Sequence, residues 1–329
     1  MRRKKMVVRG GAAVLAVAVA ACLAGCSNPL SAIEASLSSP SIAEARGKQM
    51  QAAAPAVTTP TIIKNGTLTV GLDTSSSAPM CITGSDGTFQ GYDVDMAYAI
   101  ADQLGLTVEF VGVSGASSAL GQTCDIVMDA SSNASGSVTV VGAYAEDAVG
   151  FFHKGGEGTV DKGSVMGKTI GVQDGSVSQQ LLKRSDLEAR QESFTNLNDA
   201  FDALEQGIVD YVLCDAFSGA YLQAAYSDIS FCGSIDVPSS VGVGVAAANT
   251  ELQNAVQQAV DKVCTNGVSD IIRAKWLGGM GAISDSSQVS GISISAGTVA
   301  GSSETAETSD GASGVQDGST AGANAADVG

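Results

Sequence analysis

Basic residues are scarce in this chain: 17 Lys plus Arg stand against 34 Asp plus Glu, for a formal net charge of −17. Arg2, Arg3, Lys4, Lys5 and Arg9 lie at the extreme N-terminus, so the remainder is more acidic still. Such a surface repels phosphate backbones and anionic lipid headgroups, which excludes nucleic acid as a partner and any polybasic membrane contact. Histidine occurs once, as His153, and no two cysteines stand in a CxxC pair, so a zinc or haem site has almost no ligand set. No metal or cofactor is expected. Aromatics are 5% of residues, and there are six prolines against 40 glycines, a small-residue-rich average in which part of the chain must lie outside any packed core. Length is ample: 329 residues, at roughly 150 per domain, suffice for two compact units.

After the cationic residues 1–9 comes a run of almost pure Ala, Val and Leu from Gly10 to Gly25. It is too short to span a bilayer reliably and reads as the apolar region of a signal peptide, residues 1–25. The run ends Leu23-Ala24-Gly25-Cys26, which resembles a bacterial lipobox. Small residues suit the signal-peptidase pocket, and Cys26 would accept the lipid. That lipid would hold the mature protein on the outer face of the cell membrane. Five cysteines then remain in a compartment where disulfides persist: Cys81, Cys124, Cys214, Cys232 and Cys264.

Residues 26–60, rich in Ser, Ala and Pro, read as a flexible tether. Residues 282–329 are Gly, Ser, Ala and Thr with scattered acids and no Lys or Arg, and are expected to be a disordered tail. Between them strand and helix patterns alternate. Gly66–Leu72, Leu106–Val111 and Cys124–Met128 read as strands, Asp86-Gly87 as a hairpin turn, and Asp93–Leu104 as a helix stopped by Gly105. The pattern restarts with a strand over Lys168–Gln173, helices from Val177 and Asn198, and a strand over Val209–Leu213. A last strand over Ser240–Ala247 precedes helices Glu251–Cys264 and Val268–Trp276. The alternation predicts an α/β fold with parallel sheets.

Six stretches, in order, are similar to the bacterial extracellular solute-binding proteins of family 3, the polar amino-acid receptors of ABC importers. They are Gly66–Asp73, Asp86–Asp95, Leu104–Phe110, Gly167–Ser176, Ala203–Asp210 and Lys275–Gly278. The resemblance implies a two-lobed periplasmic-binding-protein-like fold of type II with two crossing hinge segments. Lobe one would be 61–148 with 241–281 and lobe two 149–240, with hinges near Val149–Phe152 and Pro238–Val243. It further implies a monomer that closes on a small-molecule ligand and presents the closed state to an ABC transporter permease.

Ligand in an α/β sheet sits at the C-terminal ends of parallel strands, and three loops qualify. In the first the resemblance places Asp73 on the ligand, with Ser76 and Ser77 standing where a stacking aromatic belongs and Met80 closing the loop. In the second, Ser131, Ser132 and Ser135 offer hydroxyls, while Ser137 occupies the place of the family's carboxylate-clamping Arg. Loss of that bidentate, charge-assisted fork weakens α-carboxylate recognition. In the third, Ser176 and Ser178 open a helix whose N–H groups suit an anion. Asp215 matches the lobe-two carboxylate that receives a ligand ammonium, and with Asp73 makes a cleft suited to a cation. Each has a plainer alternative: Gly175-Ser176 and Asp215 as helix caps, Asp73 as a turn cap. Tyr92 and Trp276 read as core aromatics, His153 as structural, and Asp93 and Asp95 as a helix start.

The placement of the loops suggests Cys81–Cys124 and Cys214–Cys232 disulfides within the lobes, leaving Cys264 unpaired. The functions open at this point are an importer's solute receptor, a non-transporting sensor or surface lipoprotein, and a dehydratase-like enzyme on the same fold. The candidate loops offer Ser and Asp but no His, Lys or Glu to act as an acid or base of suitable pKa, so no enzyme is expected.

Overall fold

The computed structural model describes residues 54–73, 78–131, 134, 136–156, 158–226 and 228–295. The first strand, β1 (Thr67–Asp73), is buried along almost its whole length, as the apolar run Leu-Thr-Val-Gly-Leu requires of a central parallel strand. A short hairpin, β2 (Ile82–Thr83) and β3 (Phe89–Gln90), turns at Asp86-Gly87 and leads into helix α1 (Tyr92–Leu104). That helix buries Val94, Ala97, Ile100, Ala101 and Leu104. It stops at Gly105, whose left-handed backbone lets its N–H reach the carbonyls of Ala101 and Asp102. Strands β4 (Thr107–Val113) and β5 (Ile126–Ser131) flank β1 in parallel, with a single-turn helix α2 (Ala116–Ala119) between them in sequence.

Strand β6 (Val138–Asp147) ends this run and continues through Ala148 into β7 (Val149–Lys154), the first strand of a second sheet. The second sheet is completed by β8 (Thr169–Gln173), β9 (Arg190–Phe194), β10 (Tyr211–Asp215) and β11 (Ile229–Ser234). Helices α3 (Lys162–Val165), α4 (Val177–Arg184), α5 (Leu197–Glu205) and α6 (Ala216–Gln223) lie between these strands in sequence. The chain then returns: β12 (Ser239–Ala246) inserts antiparallel between β5 and β6, so the first sheet has order β4-β1-β5-β12-β6 and is mixed rather than parallel. The second has order β11-β7-β10-β8-β9. Helix α7 (Thr250–Thr265) covers the first sheet with a buried stripe of Leu252, Val256, Ala259, Val260 and Val263, and α8 (Val268–Leu277) packs against α1 and α7.

The two crossings between sheets are joined to each other. Ile235 N–H donates to the Val149 carbonyl at 2.9 Å, Val149 N–H to Asp236 Oδ1 at 2.8 Å, and Ala216 N–H to the Ala148 carbonyl at 2.9 Å. They lie at Ala148, next to the expected Val149–Phe152 stretch, and at 235–238, which meets the expected Pro238–Val243 stretch at Pro238. Phe151 and Phe152 cannot flex freely: each is fully buried, on opposite faces of the second sheet.

Three expectations are corrected. The tether does not run to residue 60, because Val57 is buried at 3% exposure and Ala56 N–H donates to the Leu104 carbonyl. The tail does not begin at 282. Ile283 and Val289 are buried, and Ile294 bridges to Ser185, so 282–294 are part of the fold. These lone apolar residues lie in a Gly- and Ser-rich composition that masks them. The third concerns the cysteines: Cys81, Cys124, Cys214 and Cys232 are buried free thiols. Cys232 belongs to the Phe151 face of the second sheet and Cys214 to the Phe152 face. Cys81 and Cys124 likewise sit in separate apolar clusters. Side chains pointing away from each other cannot be bridged without moving backbone.

The free state makes a chemical prediction. Burial pushes the Cys81 and Cys124 thiols up to about 11 and Cys232 to about 12, while Cys264 is exposed. Among the five described cysteines, alkylation of the native protein at neutral pH is expected to label Cys264 alone, and unfolding without reductant to release the other four, as read by peptide mass mapping. A thiol that appears only after reduction would contradict this arrangement.

Candidate functional site

Carboxylates gather at the C-terminal ends of the strands, where the two sheets meet. Asp73 ends β1 and Asp129 lies near the end of β5. Asp147 ends β6 just before the first crossing, and Asp215 ends β10. Asp129 is one of two non-glycine residues with positive φ among the described residues, at 59°. Its N–H donates to the Tyr144 hydroxyl at 2.9 Å, and that hydroxyl donates to Asp93 Oδ1 at 2.6 Å. Asp93 is 1% exposed, and burial followed by the charge of Asp129 raises its pKa well above the ordinary carboxylate value. It is therefore a buried member of the acidic network rather than only part of a helix start.

Asp147 is the most consequential residue that sequence reasoning missed. Its carboxyl lies beside that of Asp215, and its Oδ1 is buried with no partner among the described residues. Burial first, and then the negative charges of Asp215 and Asp129, hold it well above the usual carboxylate range. Nothing in its sequence context, Ala-Glu-Asp-Ala, marks it. It comes to Asp215 because β7, which starts two residues later, pairs antiparallel with β10 in the register Asp215↔Val149.

This has a measurable consequence. The unfolded chain loses the Asp147 proton near pH 4, whereas the fold resists losing it until a higher pH. Its contribution is full in acid and is lost as pH rises toward the raised value. Asp147→Asn is expected to raise the melting temperature at pH 7, with the gain shrinking toward pH 4. An equal effect at both pH values would contradict the assigned environment.

The other expected site residues are placed as follows. Asp215 does cap a helix: its Oδ1 accepts from Ser218 N–H at 2.7 Å, and Ser218 Oγ in turn donates to the Ala78 carbonyl of the first sheet's loop. Ser176 caps α4 by accepting from Gln179 N–H at 3.1 Å, and Gln179 Oε1 accepts from Gly175 N–H. Part of the expected anion nest is thus satisfied internally. Ser178 is buried. The Met80 side chain packs into the first sheet's core, while its carbonyl accepts from Asp93 N–H. Ser131 is exposed at the end of β5. Ser137, where the clamping Arg was sought, is exposed and accepts from Ala247 N–H. Ser76, Ser77, Ser132, Ser135 and Cys26 lie outside the described residues. His153 stacks on Tyr211, consistent with a structural part. Among the described residues no group of three or more His, Cys, Asp or Glu side chains is arranged to hold a metal ion, and no helix is long and apolar enough to cross a membrane.

The family model of the bacterial extracellular solute-binding proteins, family 3, matches residues 68–279. The L-cystine-binding protein TcyJ of Escherichia coli (strain K12) is 24% identical over 229 residues, 65% of this chain and 84% of that protein. An arginine-binding periplasmic protein of Mannheimia haemolytica is 30% identical over 118 residues, 34% of this chain and 49% of that protein. A polar amino acid ABC uptake transporter substrate binding protein from Streptococcus thermophilus superposes with a TM-score of 0.57 at 22% identity, covering 66% of this chain and 88% of that one. The L-cystine solute receptor of Neisseria gonorrhoeae, unliganded and open, gives 0.56 at 19% identity, covering 68% and 94%. Likeness at this identity speaks to the fold, which is the two-lobed type II arrangement.

Proposed function

The chain belongs to the bacterial extracellular solute-binding proteins of family 3, the amino-acid receptors of ABC transporters, and from that premise we propose that it captures a small, positively charged polar solute between its lobes. It is a binding protein, not an enzyme. In this reading a cationic amino acid or amine enters between the first-sheet acids Asp73 and Asp129 and the second-sheet acid Asp215. The observation that carries the proposal is the placement of Asp147 against Asp215, where the chain crosses from one sheet to the other. Burial first, and then the charge of Asp215, keep Asp147 protonated; a cation seated there offsets both, so binding releases a proton and tightens as pH rises from acid toward neutral. Closure then follows from contacts made to both lobes at once. The proposal extends to a monomer anchored through lipid on Cys26 on the outer face of the cell membrane, delivering its solute to a permease. Neither nucleic acid nor a cofactor has a part in it.

The test is a thermal-shift screen of arginine, lysine, simple diamines, glutamine, cystine and glutamate against the mature chain, followed by titration calorimetry in two buffers of different ionisation enthalpy. Cations are expected to raise the melting temperature by mass action, and the apparent binding enthalpy to vary with the buffer. A larger shift with glutamate than with any cation would overturn the assignment of charge.

A further inference from the structure

We propose that residues 278–294 are a strap that restrains the hinge, a third crossing between the lobes beyond the two within the sheets. The inference concerns hinge motion and holds whatever solute the cleft takes.

Both ends of the strap are fastened. On the first lobe Met280 and Ile283 are buried in the core formed by α1, α7 and α8, against which Ala216, Phe217 and Ala220 of α6 also pack, and Arg273 Nη1 donates to the Met280 carbonyl at 3.1 Å. On the second lobe Val289 is buried beside Phe151 and Cys232, and Ile292 and Ile294 pack against the same cluster. Backbone bonds complete the attachment. Val289 N–H donates to the Ser234 carbonyl at 2.9 Å, and Asp186 N–H to the Ser293 carbonyl at 3.0 Å. Lys162 Nζ reaches the Gly291 carbonyl at 2.9 Å. These contacts extend from β11, next to the second crossing, out to Ser185 and Asp186 beyond α4. Two adjacent crossings joined by hydrogen bonds define a pivot. A third attachment that reaches away from the pivot opposes rotation about it.

The strap has limited slack. Only residues 284–288 separate the last buried residue on one lobe from the first on the other, and three of them form a 3-10 turn, Asp285–Ser287. A 3-10 turn rises about 2 Å per residue against about 3.3 Å extended, so unwinding it yields about 4 Å before the strap is taut. The strap is also not tightly backed. A pocket of about 280 Å³ lies between Met280, Ile283, Tyr92 and Phe217, and one of about 180 Å³ between Met280, Ser287 and Phe231. Both are clefts partly open to solvent, which leaves room for the strap to shift as the hinge moves.

The experiment measures the interlobe distance by pulsed electron resonance on the mature chain, with spin labels at Gln122→Cys and Lys183→Cys in a Cys264→Ser background. Both label positions are exposed, one on each lobe. A Gly-Ser-Gly-Ser insertion after Ser286 lengthens the strap without removing a packed residue, and truncation after Ile283 removes its second attachment. Both are expected to broaden the distance distribution, while truncation after Ser295 leaves it as in the full chain. Should the shorter truncation fail to fold, the insertion variant decides. A distribution of unchanged width in the folded insertion variant would overturn the proposal, even with a lowered melting temperature, because packing alone would then account for the segment.

Discussion

Asp215→Asn is expected to weaken binding of a cationic probe such as arginine by about 2 to 5 kcal/mol, from roughly thirtyfold to several thousandfold in Kd, while leaving the fold intact. Asparagine is as good an N-cap as aspartate, so its Oδ1 can keep accepting from Ser218 N–H, the 2.7 Å bond that starts α6. What is lost is the charge. The loss should itself depend on pH, because Asp147 feels Asp215 as its strongest charged neighbour. Without that charge Asp147 gives up its proton at lower pH and can in part take over the cation. The deficit in affinity is therefore expected to be larger at pH 5 than at pH 9. Titration calorimetry at both values, with circular dichroism to verify folding, reads the effect. A Kd within twofold of the wild type at pH 7 would mean that Asp215 is a helix cap and nothing more. Asp215→Ala, which also removes the cap, is the less informative variant, since about 0.5 to 2 kcal/mol of its effect belongs to the helix.

The local elements were legible because each is carried by a signal within its own residues. The stripe of α1, its Gly105 stop, the Asp86-Gly87 turn and the stripe of α7 depend on neighbours three or four positions away, and the structure places them within a residue or two of the expected bounds. What could not be read were pairings at long separation. The antiparallel insertion of β12 between β5 and β6 joins residues about a hundred positions apart, so a parallel sheet was the natural expectation. The cysteine pairing failed for the same reason. Which face of a strand a side chain occupies is set by register with distant partners, and a one-residue difference reverses it. The site divides similarly. Asp73 and Asp215 end strands with clear apolar runs and were visible as loop starts, whereas Asp129, inside β5, was not singled out. Nor was Asp147, because its chemistry arises from the β7–β10 register that brings it to Asp215. The strap escaped notice because Ile283, Val289 and Ile294 are single apolar residues in a composition that otherwise argues for disorder.

Gly91→Ala is expected to cost about 3 to 5 kcal/mol of folding stability and to disturb the first ligand loop at the same time. Gly91 precedes α1 with φ 144° and ψ 179°, a conformation essentially reserved for glycine. A methyl group there would collide with the Met80 carbonyl oxygen and come within 2.8 Å of the Pro79 carbonyl oxygen. Neither can yield cheaply, because both carbonyls are already committed. Pro79 accepts from Tyr92 N–H at 2.9 Å and Met80 from Asp93 N–H at 3.2 Å, satisfying donors at the open end of α1. Pushing this turn away uncaps the helix and shifts the segment that returns from Asp73. For a unit of this size about 2 to 4 °C of melting temperature accompanies each kcal/mol, so a fall on the order of 10 °C is expected. Gly87→Ala is the control: its φ is 79° but nothing lies within 4 Å of the added carbon, so only the backbone cost of about 1 to 2 kcal/mol should appear. Equal losses for the two variants, measured by thermal unfolding, would show that the Met80 carbonyl moves aside freely and that the contact between this turn and α1 does not hold the loop.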